Sequence, residues 1–471
     1  MAGDLGGAAE LFPLRGGRGT FALHATGFRH PAASPLGGET FTAYVDLTHL
    51  LLGERWLRVG TRQGVLNVPR AAFREADGAE ALRHALLARL ALEPSGPATL
   101  ARMAAIDEAA RRPFRPWVAL GAAALCAAVY ALQLLLGERV VQAGYFSDAL
   151  VRVGEVWRLV TANFLHAGPW HFGMNVLGLV LLGALVERPL GHAATFFVLG
   201  ASALGATGAG ALAGYGSLVG ASGMVAGLAG AVLWLELRRP ERLSAAWRVP
   251  RRIFVAAIGV DALLGAVVPE IAGLAHVGGF FAGALAASLA GAPMPASERS
   301  QRGLGLADAL LAVALFLSLV TAGREVRGGA DLIAKRAIRL LDVPGVSPLV
   351  LNNTAWLLAT SPDVDRKRGE VAVRLAERAV QETGRQDPNV LDTLAEAHFA
   401  AGEVKEAVDA IDEAIALAPD EPYFQEQRRR FTGERGPGDR PEPPQDEAPP
   451  DQQPGEPLPS GSDSDQPGLS V

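Results

Sequence analysis

Cysteine is all but missing from the 471 residues: Cys126 stands alone in an apolar run, so neither a disulfide framework nor a cysteine-based metal site can be built. Charge is scarce too. Only 20% of residues are charged against 49% hydrophobic, and the mean hydropathy is positive at +0.21, which is unlike a soluble chain of this length. No basic cluster with interleaved aromatics is present, which argues against a nucleic-acid partner. The opening residues, MAGDLGGAAELFPLRGG, lack the apolar core of a signal peptide, so membrane insertion would be directed by the first membrane helix. The net charge of −6 is modest and names no partner, because its acidic excess sits largely in the C-terminal tail.

The charges that exist avoid the middle of the chain. Between Trp117 and Ala322 long stretches hold no Lys, Arg, Asp or Glu, while both ends are polar. That distribution describes a membrane core with water-soluble flanks. A hydrocarbon layer of ~30 Å is crossed by about 20 helical residues. Segment 117–136 meets this without a charge, and six further apolar segments, several of them short, lie at 171–186, 193–213, 218–237, 253–268, 271–289 and 306–322, with a long amphipathic connection at 137–170. Several are loaded with Gly and Ala, the small residues that let membrane helices pack closely. The fold class expected is a polytopic all-α membrane protein of seven transmembrane helices with soluble domains at both ends.

Residues 1–20 read as a flexible N-terminus and 21–110 as a small α+β domain. The stretches FTAYVDLTHLLL, RWLRVGT and GVLNVPRAAF are strand-like, and GAEALRHALLARLAL has helical apolar spacing. Residues 330–432 read as paired helices: LNNTAWLLA and VLDTLAEAHFAAG come first in each pair, and EVAVRLAERAV and EVKEAVDAIDEAI second. A period near 34 residues, with a short insertion, resembles tetratricopeptide repeats, which usually offer a groove to a protein partner; a plain helical bundle is the alternative. Residues 433–471, rich in Pro, Asp, Glu, Gln and Ser, are expected to be a disordered acidic tail. Arg111, Arg112 and Arg115, then Arg238 to Arg252, then Arg299 and Arg302 all fall on one side if seven helices alternate. Basic residues favour the cytoplasmic side, so the N-terminus is expected there and the repeats on the other side, with Arg324 and Arg327 running against the pattern.

Polar groups inside a membrane are expensive and are functional candidates by default. Ser222 lies between Gly220 and Gly223, where glycine lets backbone approach closely and leaves a hydroxyl accessible, although such runs are also ordinary helix-packing surfaces. His276 shares a helix face with Gly279 and Gly283, which suits contact with another small-residue helix and makes it a candidate proton acceptor, or simply a histidine bonded within a bundle. His171 and Asn175, four apart, stack on one face and offer two donors for an oxyanion hole. A metal reading of His166, His171 and Asn175 is weak, since no carboxylate or cysteine joins them. Asp261, in the fifth segment, is far from His276 along the chain, so a Ser–His dyad is expected rather than a triad.

Taken together, these residues resemble the rhomboid family of intramembrane serine proteases. GxSG appears as Gly220-Ala221-Ser222-Gly223, AHxxGxxxG as Ala275-His276 with Gly279 and Gly283, and HxxxN as His171 with Asn175. Trp157-Arg158 matches the Trp-Arg pair of the family's first loop, Glu187 and Gly191 its ExxxG, and His166 its additional loop histidine. The resemblance spans about residues 117–290. It implies a six-helix rhomboid-like core at 117–291, a seventh helix at 306–323, and a Ser222–His276 dyad in a water-filled cavity. It further implies an oxyanion hole of the Ser222 N–H, His171 and Asn175, with Trp157, Arg158, Glu187, Gly191, Gly220, Gly223, Gly279 and Gly283 in structural support. No cofactor or metal is expected. Substrates would be membrane proteins in the lipid bilayer, and the location a multi-pass protein of the bacterial inner membrane. Ala226 stands where the family usually has an aromatic ring against the histidine; either Phe280 or Phe281 takes over, or the dyad is held less rigidly. The alternatives are a non-catalytic membrane scaffold that binds clients and recruits partners through the repeats, and a transporter, which fits less well because no inverted repeat is visible.

Overall fold

The computed structural model describes residues 9–17, 19–31, 38–215, 217–244, 247–267, 272–291 and 298–441. The chain divides into two compact units, one of residues 1–328 and 342–350, the other of residues 329–341 and 351–471.

The first unit begins with strands. β1 (Glu10–Pro13), β2 (Thr20–Leu23), β3 (Gly27–Pro31) and β4 (Glu39–Ala43) form an antiparallel meander; β5 (Leu47–Leu52), β6 (Trp56–Thr61) and β7 (Val65–Pro69) form a second. Helices α1 (Gly78–Leu92) and α2 (Gly96–Arg111) follow. Leu82, Leu86 and Leu90, spaced one turn apart, put one face of α1 into a core with Phe21, Phe28, Tyr44, Leu57 and Phe73. The N-terminus therefore becomes ordered earlier than expected. Glu10–Pro13 pair with Thr20–Leu23, and Gly16 and Gly19, both at positive φ, turn the chain between them. Residues 1–8 lie outside the described set.

Helices occupy all seven apolar stretches: α3 (Trp117–Leu136), α7 (Pro169–Leu190), α8 (His192–Leu212), α9 (Ser222–Arg238), α10 (Arg251–Val267), α11 (Gly273–Ala290) and α12 (Glu298–Arg327). Five of them, α3, α7, α8, α11 and residues 304–327 of α12, are long and apolar enough to cross a membrane. α9 and α10 have 17 residues each. α9 starts late because Leu218 is held in an isolated β-bridge: it exchanges both backbone hydrogen bonds with Phe146, at 3.0 and 3.1 Å. Phe146 belongs to the loop between α3 and α7, which folds into three short helices, α4 (Glu138–Gly144), α5 (Asp148–Arg152) and α6 (Arg158–Thr161). Leucines and phenylalanines stand exposed on the outer faces, among them Leu135, Leu181, Phe281, Leu285 and Phe316. In water such a surface would be an association site; in lipid it is the natural exterior.

α11 packs between α8 and α9, and glycine sets the spacing. A Cβ on Gly279 would lie far inside van der Waals contact of Gly223 O, and one on Gly283 likewise of Gly227 O. Gly205 of α8 meets Gly278 and Ala282 in the same way. At such points the backbones touch, and a methyl group forces them apart.

Charged groups pin the ends of the bundle. Glu187, at the end of α7, accepts hydrogen bonds from Val118 N (2.9 Å) and Ala119 N (3.0 Å) and so caps the start of α3. Glu236, near the end of α9, is bridged at 2.7 Å by Arg248, which also donates to Thr48 Oγ1 and Thr61 O of the strand domain. β5 sets His49 over Gly60, whose missing Cβ leaves room for the imidazole.

The second unit holds α13 (Ala330–Leu341), residues 351–359 of α14 (Pro348–Ala359), α15 (Arg366–Glu382), α16 (Pro388–Ala401), α17 (Val404–Leu417) and α18 (Pro422–Phe431). Asp365 and Asp387 cap α15 and α16 with their carboxylates, and Gly402 ends α16 in the left-handed region. Buried alanines such as Ala376, Ala379, Ala395 and Ala410 let these helices pack closely. Residues 433–441 depart from the expected disorder: Arg440 donates to buried Glu396 at 2.7 Å, and Arg430 to Pro437 O at 3.0 Å. Residues 442–471 lie outside the described set.

Two outcomes follow. Gly283→Ala is expected to lower the stability of the helical core by about 1–3 kcal/mol in a detergent unfolding titration. Gly121→Ala, where a Cβ meets open space, should leave it within about 0.5 kcal/mol. The second concerns acid. Burial, and then the guanidinium groups of Arg248, Arg102 and Arg58, push the His49 imidazole down to about 3. The unfolded ring takes up its proton near pH 6.5 and the folded one only near 3, so this contribution is complete above pH 6.5 and is lost as pH falls from there towards 3. Thermal melts across that window should show His49→Leu losing less stability than the unaltered protein.

Candidate functional site

Ser222 is the first residue of α9, so its backbone N–H has no acceptor within the helix and faces the space before it. The approach to it is fixed from two sides. Leu218 is paired with Phe146, and Gly220 N donates to Ala162 O at 2.9 Å. Gly220 has φ +123, a conformation that glycine adopts freely, and a Cβ there would strike the His171 ring, 2.6 Å from Cε1 and 2.7 Å from Nε2. Only glycine lets the chain turn into α9 with that imidazole beside it.

The loop that supplies Phe146 is organised around Arg158. This fully buried guanidinium bonds Glu155 (2.7 Å), Tyr145 O (2.8 Å) and Gln142 O (2.9 Å), while Trp157 Nε1 donates to Ala143 O at 3.2 Å. A buried charge is tolerated when paired and fully bonded. Trp157 and Arg158 thus hold the loop whose edge sets the entry to Ser222. Glu187 and Gly191 act further away: Glu187 caps α3, and Gly191, at φ 85, separates α7 from α8.

His276 lies in the first turn of α11, and its Nε2 is 2.7 Å from Ser222 Oγ. Two residues 54 apart in sequence meet because the glycine contacts of α9 and α11 begin one residue after Ser222 and three after His276. Gly223, Gly279 and Gly283 are that contact. A cavity of about 30 Å³, room for a water molecule or two, opens beside Ser222 and His276, with Asn163 and Thr207 among its walls. His171 borders the position that a Gly220 side chain would take. Asn175 is buried, and its amide donates to His171 O at 2.8 Å, within its own helix. His171 is therefore beside Ser222, whereas Asn175 is turned to the helix backbone, and neither lines the cavity. His166 is buried beside Tyr130, Phe172 and His171, and its backbone is clamped by the Gln133 amide at 2.9 and 3.0 Å.

One expectation is corrected. Asp261 is not remote from His276: its Oδ2 is 2.7 Å from His276 Nδ1. Distance along the chain misled, because the start of α11 packs against α10: Gly273 lies beside Asp261, Ala262 and Gly265. The available signal was a lone carboxylate in an apolar segment. The ring support foreseen from Phe280 or Phe281 is absent among the described residues. These two rings pair with each other, and Phe281 faces outward.

Residues 153–293 match the Rhomboid domain family, a stretch that covers less than a third of the chain and includes each motif residue named above. Rhomboid protease GluP of Bacillus subtilis is 26% identical over 291 residues, which cover 60% of this chain and 50% of that protein. RHOMBOID-like protein 1 of Arabidopsis thaliana is 32% identical over 143 residues, 29% of this chain and 35% of its own. RHOMBOID-like protein 4 of the same plant is 34% identical over 137 residues, 29% and 34% respectively. The chain spans half or less of the length of these curated relatives. The match of residues 153–293 to the Rhomboid domain and the likeness to rhomboid proteases support the rhomboid family, and with the apolar helices they support a multi-pass membrane protein.

Proposed function

We propose that this protein is an intramembrane serine endopeptidase that cleaves transmembrane or juxtamembrane segments of other membrane proteins. The observation that carries the reading is the 2.7 Å contact between Ser222 Oγ and His276 Nε2, at the half-buried start of two glycine-packed helices. Ser222 attacks the scissile carbonyl while His276 takes its proton and then returns it to the leaving amine. The oxyanion is held by the free N–H of Ser222 and by the side chain of His171, with Asn175 released from its intrahelical bond to join it. A helical peptide bond must be unwound to enter so small a space, so helix-breaking residues in the substrate favour cleavage.

The same reading extends to the rest of the chain. Residues 117–291 form the protease core and 306–323 a seventh span. Residues 330–432 form tetratricopeptide-like repeats that take a protein partner. The N-terminal domain is cytoplasmic: it is tied through Thr48 and Thr61 to Arg248, in the basic loop between α9 and α10, so both belong on the basic side of a bacterial inner membrane. The repeats then lie across the membrane.

A purified-protein assay on a model transmembrane substrate tests the chemistry. Ser222→Ala and His276→Ala should each abolish cleavage, and His171→Ala should lower kcat by about 10²–10³. Processing by Ser222→Ala equal to that of the unaltered protein would sink the mechanism and leave a client-binding scaffold. Topology is tested separately: in intact spheroplasts, added protease should remove residues 330–432 and spare the N-terminal domain.

A further inference from the structure

We infer that Asp261 is the positioning residue of a Ser222–His276–Asp261 triad, a reading that rests on Ser222 and His276 as nucleophile and base. The geometry is a chain of two contacts, Ser222 Oγ to His276 Nε2 and His276 Nδ1 to Asp261 Oδ2, each 2.7 Å. Asp261 has no other hydrogen-bond or ion-pair partner among the described residues, so its carboxylate is committed to this ring.

The approach is built into the hairpin. Gly273, three residues before His276, packs against α10 where Asp261 sits. A Cβ at Gly273 would come within 3.1 Å of Asp261 O and of Gly265 Cα, and 3.2 Å of Ala262 Cα. Such close approach puts the carboxylate within reach of the imidazole one turn on. A carboxylate on an otherwise apolar helix gains from pairing with a ring N–H.

The pairing also settles which nitrogen is free. A carboxylate accepts and does not donate, so Nδ1 must carry the proton and Nε2 must present its lone pair to Ser222 Oγ–H. That is the tautomer a general base needs. As the bond from Oγ to the carbonyl carbon forms, the carbonyl π pair moves onto oxygen and the Oγ proton passes to Nε2. Asp261 keeps its charge beside the imidazolium and takes no proton. When the tetrahedral species collapses, the Nε2 proton goes to the leaving nitrogen. Asp261 therefore also supplies what an aromatic ring at Ala226 would have done, since it fixes the orientation of the imidazole.

The test is a ranking in kcat of full-length protein reconstituted in vesicles with a transmembrane substrate. Asp261→Asn keeps the shape but offers Nδ1 a donor, which selects the wrong tautomer; Asp261→Ala leaves the ring free to sample both. A positioning role predicts kcat in the order Asp261, then Ala, then Asn, with Asn down about 100-fold, KM within about 3-fold and unchanged melting. A packing role predicts the reverse, with Asn close to the unaltered protein and Ala the weaker. That order, or an Asn variant within 3-fold of normal kcat, overturns the inference while Ser222→Ala remains inactive. If Ser222→Ala itself cleaves normally, the underlying reading fails instead.

Discussion

A serine side chain is one carbon long, so a membrane-embedded hydroxyl can meet an imidazole on another helix only if the two backbones nearly touch. Ordinary helix packing holds axes 8–10 Å apart. α9 and α11 come closer than side chains would allow because Gly223 faces Gly279 and Gly227 faces Gly283. Each pair is one helical turn beyond the last, and both helices advance in the same direction. The seam therefore stays in register, and its first contact lies next to Ser222. The contact between Ser222 and His276 depends on that seam.

Polar groups are found instead where the seam needs its ends held. Arg158 binds three carbonyl or carboxylate acceptors in the loop after α3, and Phe146 of that loop bridges to Leu218, four residues before Ser222. Glu187 fastens the end of α7 to the start of α3. Glu236 and Arg248 fasten the far end of α9 to the strand domain. In a bilayer, helices gain little from hydrophobic attraction to one another, since lipid is as apolar as leucine. Backbone capping by buried charges supplies directionality that apolar packing alone does not.

Much of this was legible in the sequence, for identifiable reasons. The seven apolar stretches were visible because charge is excluded from lipid, and each became a helix. Ser222, His276 and His171 each also have an ordinary packing explanation, and only their combination in one apolar region singled them out. What escaped notice depended on tertiary pairing. β1 was hidden by a Gly-rich composition that reads as loose until the hairpin partner Thr20–Leu23 is known. The late start of α9 was hidden because Leu218 and Val219 look helical, whereas Leu218 is held in the bridge to Phe146. Asn175 was correctly seen to stack on His171, but an amide one turn from a carbonyl bonds to it when nothing else competes.

Asp261 shows most sharply where linear reading fails. Spacing along one helix says which residues share a face; it says nothing about residues across a hairpin, where the relevant count runs outward from the turn. The contact also divides the site into two dependencies. Ser222 and His276 are held by the rigid glycine seam of α9 and α11, whereas Asp261 rides on α10, whose Val255, Val260, Leu263 and Val267 face outward. α10 meets α11 through the small surface around Gly273. A shift of α10 alone would separate carboxylate from imidazole while leaving serine and histidine in contact. In this fold the contact of serine with histidine and that of imidazole with carboxylate are set by different helix pairs.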